Sequence, residues 1–128
     1  DTRPPQISDI NVEGSATNNQ NDKLSQLSIS WNTDEQATSQ IEFGEGVGTS
    51  YTQKTQEDSN LTNNHLVIIS GLTPSKVYHF RIISKDQAQN TANSQDTVSI
   101  TPKAIDSAFE LVIGNLVEVF GFLKGLQN

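Results

Sequence analysis

Cysteine is absent from all 128 residues, and so is methionine. The absence of cysteine excludes a disulfide scaffold, thiolate metal sites and a cysteine nucleophile. Only two histidines, His65 and His79, are available for histidine-based catalysis or for zinc. The chain has 8 Lys and Arg residues against 15 Asp and Glu residues. This balance argues against a nucleic acid partner, because phosphate binding needs clustered basic side chains.

Uncharged polar side chains dominate the composition instead. Asn, Gln, Ser and Thr together account for 49 residues, while hydrophobic residues make up 33% of the chain. An acidic, amide-rich chain with a sequon at Asn60-Leu61-Thr62 is typical of an extracellular or cell-surface protein, and Asn60 is its candidate glycosylation site. The lack of cysteine in such a protein favours a prokaryotic source. The length suits one domain with a short appendage.

Residues 1–103 show the pattern of an all-β domain, in which short apolar runs are separated by turn residues. Leu27, Ile29 and Trp31 alternate with polar residues, as expected for a half-buried strand. Further strands are predicted around 7–12, 41–43, 51, 66–69, 77–83 and 98–100, with a polar loop at 14–23. Seven strands at these spacings, without helical interruptions, predict an antiparallel sandwich of two sheets.

Six motifs in this region occur in a characteristic order. They are PPQIS at 4–8, LSISW at 27–31, TSQIEFG at 38–44, GLTP at 71–74, VYHFRI at 77–82 and DQAQNTA at 86–92. Together they resemble a fibronectin type III domain of the kind found in bacterial and archaeal surface proteins. The resemblance implies an immunoglobulin-like sandwich with Trp31 and Tyr78 as core anchors, and a binding, spacing or structural role. Gln89 stands where such domains often carry glycine.

The candidate reactive groups favour structural roles. Gly44–Gly48 is predicted to be a hairpin loop and not a phosphate cradle, because it contains Glu45 and no helix follows it. The acidic pairs at 34–35 and 57–58 are expected to be solvated turns, since calcium needs six to eight converging oxygens. Asp86 and Asn90 are expected to cap a turn. His65 and His79 are expected at the surface.

Some apolar residues occupy strand positions whose side chains are expected to point away from the core, and they indicate a contact surface. If Val67 and Ile69 point into the core, Leu66 and Ile68 point outward as a pair. Ile83 is expected to point outward as well. A pair of exposed aliphatic side chains on one strand face indicates a packing site, either within the chain or between chains.

Residues 104–128 follow a helical period. Apolar residues recur at alternating steps of four and three and form a seam of Ile105, Phe109, Val112, Leu116, Val119, Leu123 and Leu126. Leu111, Ile113, Phe120 and Phe122 widen the apolar arc to about 200°. The opposite side carries a small-residue stripe of Ser107, Gly114, Gly121 and Gly125. Because each glycine costs a helix roughly 1 kcal/mol, the stripe indicates close approach by another helix.

Three interpretations of this segment remain open. It packs back on its own sandwich over Leu66 and Ile68, it contacts a membrane, or it associates with copies of itself. Four charged residues within it make simple membrane spanning costly and leave an interfacial position open. A seam opposite a glycine stripe presents unlike surfaces, which produce head-to-tail contacts that propagate.

We therefore expect a non-enzymatic extracellular structural protein without a cofactor, whose sandwich is displayed on a self-associating C-terminal helix as a subunit of a pilus-like filament. The expected partner is the chain itself. The alternative is an adhesion or spacer module of a larger secreted or membrane-anchored protein, such as an enzyme with a separate catalytic domain.

Overall fold

A computed structural model describes residues 2–16, 24–48 and 50–104. This part contains seven strands: β1 (Ile7–Ala16), β2 (Ser25–Glu45), β3 (Gln53–Lys54), β4 (Asp58–Leu72), β5 (Val77–Lys85), β6 (Thr91–Asn93) and β7 (Thr97–Ile100). All their pairings are antiparallel. The expectation of a mainly β, antiparallel fold is confirmed. The predicted helix lies outside the described residues from Ile105 onward.

Strand β2 is the element on which both sheets are built. Its 21 residues join the segment around Leu27–Trp31 and the segment around Ile41–Phe43, which the sequence indicated as separate strands. The first half pairs with β1 and β4, and the second half pairs with β3 and β5. The register against β4 shifts between Asn32 and Ala37, where β2 passes from one sheet to the other.

Two sheets result. Sheet 1 has the order β1-β2-β4, and sheet 2 has the order β3-β2-β5, with β6 and β7 on the far side of β5. Strands β6 and β7 pair with successive parts of β5, so they act as one interrupted edge strand. The sequence did not indicate β6, which has three residues.

The core lies between the two sheets, because one cluster of buried side chains draws on both. Its members are Leu27, Ile29, Trp31, Ile41, Phe43, Ile69, Leu72, Tyr78, Phe80 and Ile82. In the two apolar stretches of β2, every second side chain belongs to this cluster, as a strand with one buried face requires.

Two local expectations need correction. Gly14–Ala16, expected in a loop, extend β1 and pair with Leu27, Gln26 and Ser25. Ile83 is only 6% exposed although it has the outward parity. Gln40, directly opposite Ile83, donates a hydrogen bond to the Thr55 carbonyl at 2.9 Å, which brings another chain segment to this end of the sheet.

The glycine-rich segment does connect two antiparallel strands. Strand β2 ends at Glu45, and β3 returns to pair with it at Glu42 and Phe43. Gly46 and Gly48 have φ values of 82° and 132°, which side-chain-bearing residues rarely adopt. The prediction of a hairpin connection is confirmed.

Candidate functional site

The two expected core anchors lie in the core. Trp31 is 1% exposed, and its indole N–H donates to Ser84 Oγ at 3.0 Å. Tyr78 is 4% exposed, and its hydroxyl accepts a hydrogen bond from the Thr73 backbone N–H at 2.8 Å. Each aromatic side chain thus packs its ring in the interior and satisfies its polar atom there.

His65 is buried, so its expected surface position is wrong. Its ring stacks on Trp31 with centroids 4.9 Å apart and planes inclined by 3°. The ring nitrogens contact Thr33 Oγ1 at 2.8 Å and Ser39 Oγ at 2.6 Å. Burial lowers the pKa of His65, which favours the neutral ring. The sequence contained a signal for this, because His65 has the same parity as Val67 and Ile69.

His79 is also buried, at 1% exposure, although its parity is outward as expected. Tyr51 stacks over it with centroids 4.9 Å apart, and Nδ1 lies 2.9 Å from Asp96 Oδ1. Gly44 stands opposite His79, and a Cβ there would lie 3.2 Å from the ring's Nε2. A glycine inside an alternating strand indicates such close approach, and this was the sequence signal for burial.

Tyr51 is the centre of a polar cluster on the outer face of sheet 2, which we name the Tyr51 cluster and which consists of Tyr51, His79, Asp96, Arg81 and Glu42. The Tyr51 hydroxyl donates to Asp96 Oδ1 at 2.7 Å, and the Arg81 guanidinium lies 5.1 Å from the Tyr51 ring centroid. Arg81 also donates to Glu42 Oε2 at 2.8 Å.

The pKa shifts of Tyr51 and Glu42 follow from these contacts and from burial. Burial and the Asp96 hydrogen bond raise the pKa of Tyr51 to about 12. Burial opposes ionisation of Glu42, but hydrogen bonds from Arg81 and Lys54 outweigh it and lower the pKa of that carboxyl. A His–Asp pair can act as a general base. Here the ring is covered by Tyr51, so the pair fastens the Tyr51 segment and the β6–β7 connection to β5.

A second polar group lies where β2 passes between the sheets. Glu35 and Asp86 line a cavity of about 450 Å³ together with Gln36, Leu61, Gln87 and Ala88. The hydrogen bond with Asp86 raises the pKa of Glu35, and burial adds to this effect. Burial would raise the pKa of Asp86 too, but hydrogen bonds from the Asn90 side chain and backbone outweigh it and lower that pKa. Within the pair, the pKa of Glu35 therefore lies above that of Asp86.

The turn at Asp86–Asn90 is closed, and the expected capping role of Asp86 is confirmed. Its Oδ1 accepts the Asn90 backbone N–H at 2.8 Å, and its Oδ2 accepts the Asn90 side-chain N–H at 2.9 Å. Gln89 has φ 71°, in the left-handed region where glycine is favoured. The turn keeps its geometry with glutamine at this position.

The acidic pair at 34–35 lies inside β2 and not in a turn, whereas the pair at 57–58 is exposed where the connection from β3 enters β4. Asp34 lies inside β2, where it accepts the Gln6 backbone N–H at 2.7 Å and an Arg3 N–H at 2.6 Å. The Gln6 bond is the main cause that lowers the pKa of Asp34. Asp58 begins β4 and accepts the Asn60 backbone N–H at 3.0 Å. Asn60 itself is exposed, so its side chain is accessible for modification.

Among the described residues, the exposed large hydrophobic side chains are all aliphatic and lie mainly on the outer faces of the two sheets. On sheet 1, Leu66 and Ile68 are 62% and 53% exposed, so their outward orientation is confirmed. On sheet 2, Val98 and Ile100 of β7 are 50% and 66% exposed. The exposure of the second pair was not predicted, although its alternation with Thr97 and Ser99 is visible in the sequence.

The predicted seam and stripe of the C-terminal segment lie outside the described residues. No helix that is long and apolar enough to cross a membrane occurs within residues 2–16, 24–48 and 50–104. In the same ranges, no three His, Cys, Asp or Glu side chains come together as a metal site.

The sequence was also compared with known protein families. The family model of the purple acid phosphatase N-terminal domain matches residues 13–101, which is more than half of the chain. The chain belongs to this family. The purple acid phosphatase N-terminal domain is a fibronectin-like β-sandwich, which agrees with two antiparallel sheets around one core. It is the non-catalytic part of those enzymes. No curated protein and no solved structure matches the chain.

Proposed function

We propose that this chain is a non-enzymatic structural protein of the cell exterior. In this proposal its sandwich is a seven-stranded, immunoglobulin-like domain of the prokaryotic fibronectin type III kind. The sandwich is displayed on a C-terminal helix that associates with copies of itself in a pilus-like surface filament.

A packing role is supported by one observation: the candidate reactive side chains are buried within the domain, while aliphatic side chains are exposed on its surface. His65, His79 and Asp86 are buried and hydrogen-bonded within the domain. The large hydrophobic side chains that remain exposed in the described part of the chain are all aliphatic, and paired aliphatic residues suit contact with another protein. The sequence of residues 105–128 adds a much larger apolar surface to these pairs.

Particle mass tests the assembly proposal. Light scattering and electron microscopy of the full chain should show particles far larger than a monomer. Gly121→Leu should block close helix packing and reduce the mass, whereas Asn115→Leu, a change off the stripe, should leave assembly intact. A full chain that stays monomeric at high concentration would contradict the proposal.

A second candidate function is a spacer or adhesion module of a larger secreted enzyme. The family match favours it, because the matched domain is the N-terminal part of a phosphatase. This candidate predicts a phosphatase catalytic domain encoded in the same reading frame. It also predicts that the chain does not form particles by itself, so the mass measurement separates the two candidates.

A further inference from the structure

Three aliphatic residues form a continuous apolar surface at the free edge of sheet 2, and we name Val77, Val98 and Ile100 the β7 patch. Ile100 stands directly opposite Val77, and Val98 stands opposite His79. Tyr78 and Phe80 of β5 point into the core, so Val77 and His79 face outward together with their partners on β7.

Two residues of the β7 patch, Val98 and Ile100, lie on an edge strand. Within the described residues, β7 pairs only with β5, so its other edge has no strand beside it. An exposed apolar edge strand favours unwanted pairing between chains, and proteins commonly cover such an edge with a helix or loop. The β7 patch is therefore a surface that needs a cover.

The chain leaves the sandwich beside the β7 patch at a fixed point. The Thr101 backbone N–H donates to the Lys76 carbonyl at 2.9 Å, and the Thr101 hydroxyl donates to the Thr73 carbonyl at 2.6 Å. The Pro102 carbonyl accepts a hydrogen bond from Ser25 Oγ at 3.0 Å. Only residues 103 and 104 separate this anchored point from the C-terminal segment.

We propose that residues 105–128 of the same chain dock on the β7 patch. The first residue of this segment is five positions after Ile100, so it starts within about 18 Å of the patch even when fully extended. A tethered segment acts at an effective concentration in the range of ~1 mM, which favours it over a second copy in dilute solution. Its aliphatic seam supplies a matching apolar surface.

The docked arrangement is compatible with assembly but does not rest on it. An apolar arc of about 200° is wider than one small patch covers, so part of the arc and the glycine stripe remain available to neighbours. The proposal differs from packing over Leu66 and Ile68, because that pair lies on the outer face of the other sheet. The two pairs have similar exposure, so Leu66 and Ile68 are a matched control.

Disulfide trapping in the full chain tests the docking, and the natural absence of cysteine removes any background. Val98→Cys with Leu116→Cys is compared with Ile68→Cys with Leu116→Cys at low protein concentration. The first pair should form an intrachain disulfide more than ~10 times faster, whereas the shorter loop alone gives a difference of only about fourfold. In concentrated urea, which unfolds the sandwich, the ratio of the two trapping rates should fall to about fourfold, the value expected from loop length alone.

Protease protection gives an independent measurement. Chymotrypsin cleavage at Phe109, Phe120 and Phe122 should be about tenfold faster in the Val98→Thr, Ile100→Thr double variant, because an undocked segment is open to the protease. The Leu66→Thr, Ile68→Thr double variant should match the wild type. Trp31 fluorescence checks that both variants fold, and light scattering in the same samples reports assembly separately.

Two results would overturn the proposal. One is equal trapping rates for the two cysteine pairs in native buffer. The other is protection that increases with protein concentration or trapping that gives interchain dimers, since both would identify a second copy as the occupant. A monomeric chain with fast intrachain trapping would support docking while contradicting the filament.

Discussion

Single residues in this domain decide how the polar turns are closed. Gln89 occupies the left-handed region at the turn that joins β5 and β6, and the side chain of Asp86 binds the backbone and side chain of Asn90 around it. A residue with a Cβ pays about 1–2 kcal/mol for this conformation. The turn is therefore kept by its hydrogen bonds and not by the preference of the residue at its tightest point.

Gln89→Gly should stabilise the domain by about 0.5–1 kcal/mol. The relief of the left-handed strain exceeds the ~0.4–1 kcal/mol that glycine's extra freedom adds to the unfolded state. Urea unfolding followed by Trp31 fluorescence measures the change. Gln87→Gly in the same turn is the control, since Gln87 does not have positive φ and glycine there should be destabilising by about 0.5–1 kcal/mol. Equal effects of both variants would contradict the strain argument.

Contacts between elements hold β2 against the neighbouring turns and loops. The Glu35–Asp86 pair joins the middle of β2 to the turn that follows β5, and Ala37 forms a bridge with Asp86 at the same place. The Tyr51 cluster has the same role on sheet 2, where it joins β5 to the β6–β7 connection through Asp96. The titratable side chains of the Glu35–Asp86 pair and of the Tyr51 cluster thus hold the elements together.

Glu35→Gln should raise the free energy of unfolding at neutral pH and leave it unchanged in acid. The folded-state pKa of Glu35 lies above its ordinary value of 4.5, so this carboxyl contributes most below that value and its contribution is lost as the pH rises through the folded pKa. Glutamine keeps a donor for Asp86 at every pH. Thermal unfolding of both proteins between acid and neutral pH measures the difference.

The control for this experiment is Glu13→Gln on the exposed side of β1. A difference that grew toward acid, or that appeared equally at Glu13, would contradict the raised pKa of Glu35. Loss of the Asp86 contribution as the pH falls should occur in both proteins, because the hydrogen bonds from Asn90 that lower the pKa of Asp86 are present in both.

At the scale of the whole molecule, the sequence predicted those features that depend on strand alternation and on turn residues. It predicted antiparallel strands, the buried Trp31 and Tyr78 and the outward Leu66 and Ile68. It did not predict that β2 continues through both sheets, because the polar residues around Asp34 and Glu35, between its two apolar stretches, indicated a turn. It also missed the burial of His79, since burial on an outer face depends on a distant residue, Tyr51, that covers it.

Because β2 belongs to both sheets, the domain should unfold as one cooperative unit. Ile29 of sheet 1 and Ile82 of sheet 2 are both 0% exposed and lie in the same core cluster. Ile29→Ala and Ile82→Ala should each lower the free energy of unfolding by about 2–5 kcal/mol, from lost burial and the cavity left behind. Each variant should retain a single transition. Ile68→Ala on the exposed face is the matched control and should change stability little.

Coincident urea transitions by Trp31 fluorescence and far-UV circular dichroism are the measurement for this prediction. Trp31 reports on sheet 1, where it stacks on His65, while the dichroism reports on strands of both sheets. If Ile82→Ala released sheet 2 first, the dichroism would change before the fluorescence. In that case β2 would only connect two layers that unfold independently. A single transition for both Ile29→Ala and Ile82→Ala would mean that β2 couples the stability of the two sheets.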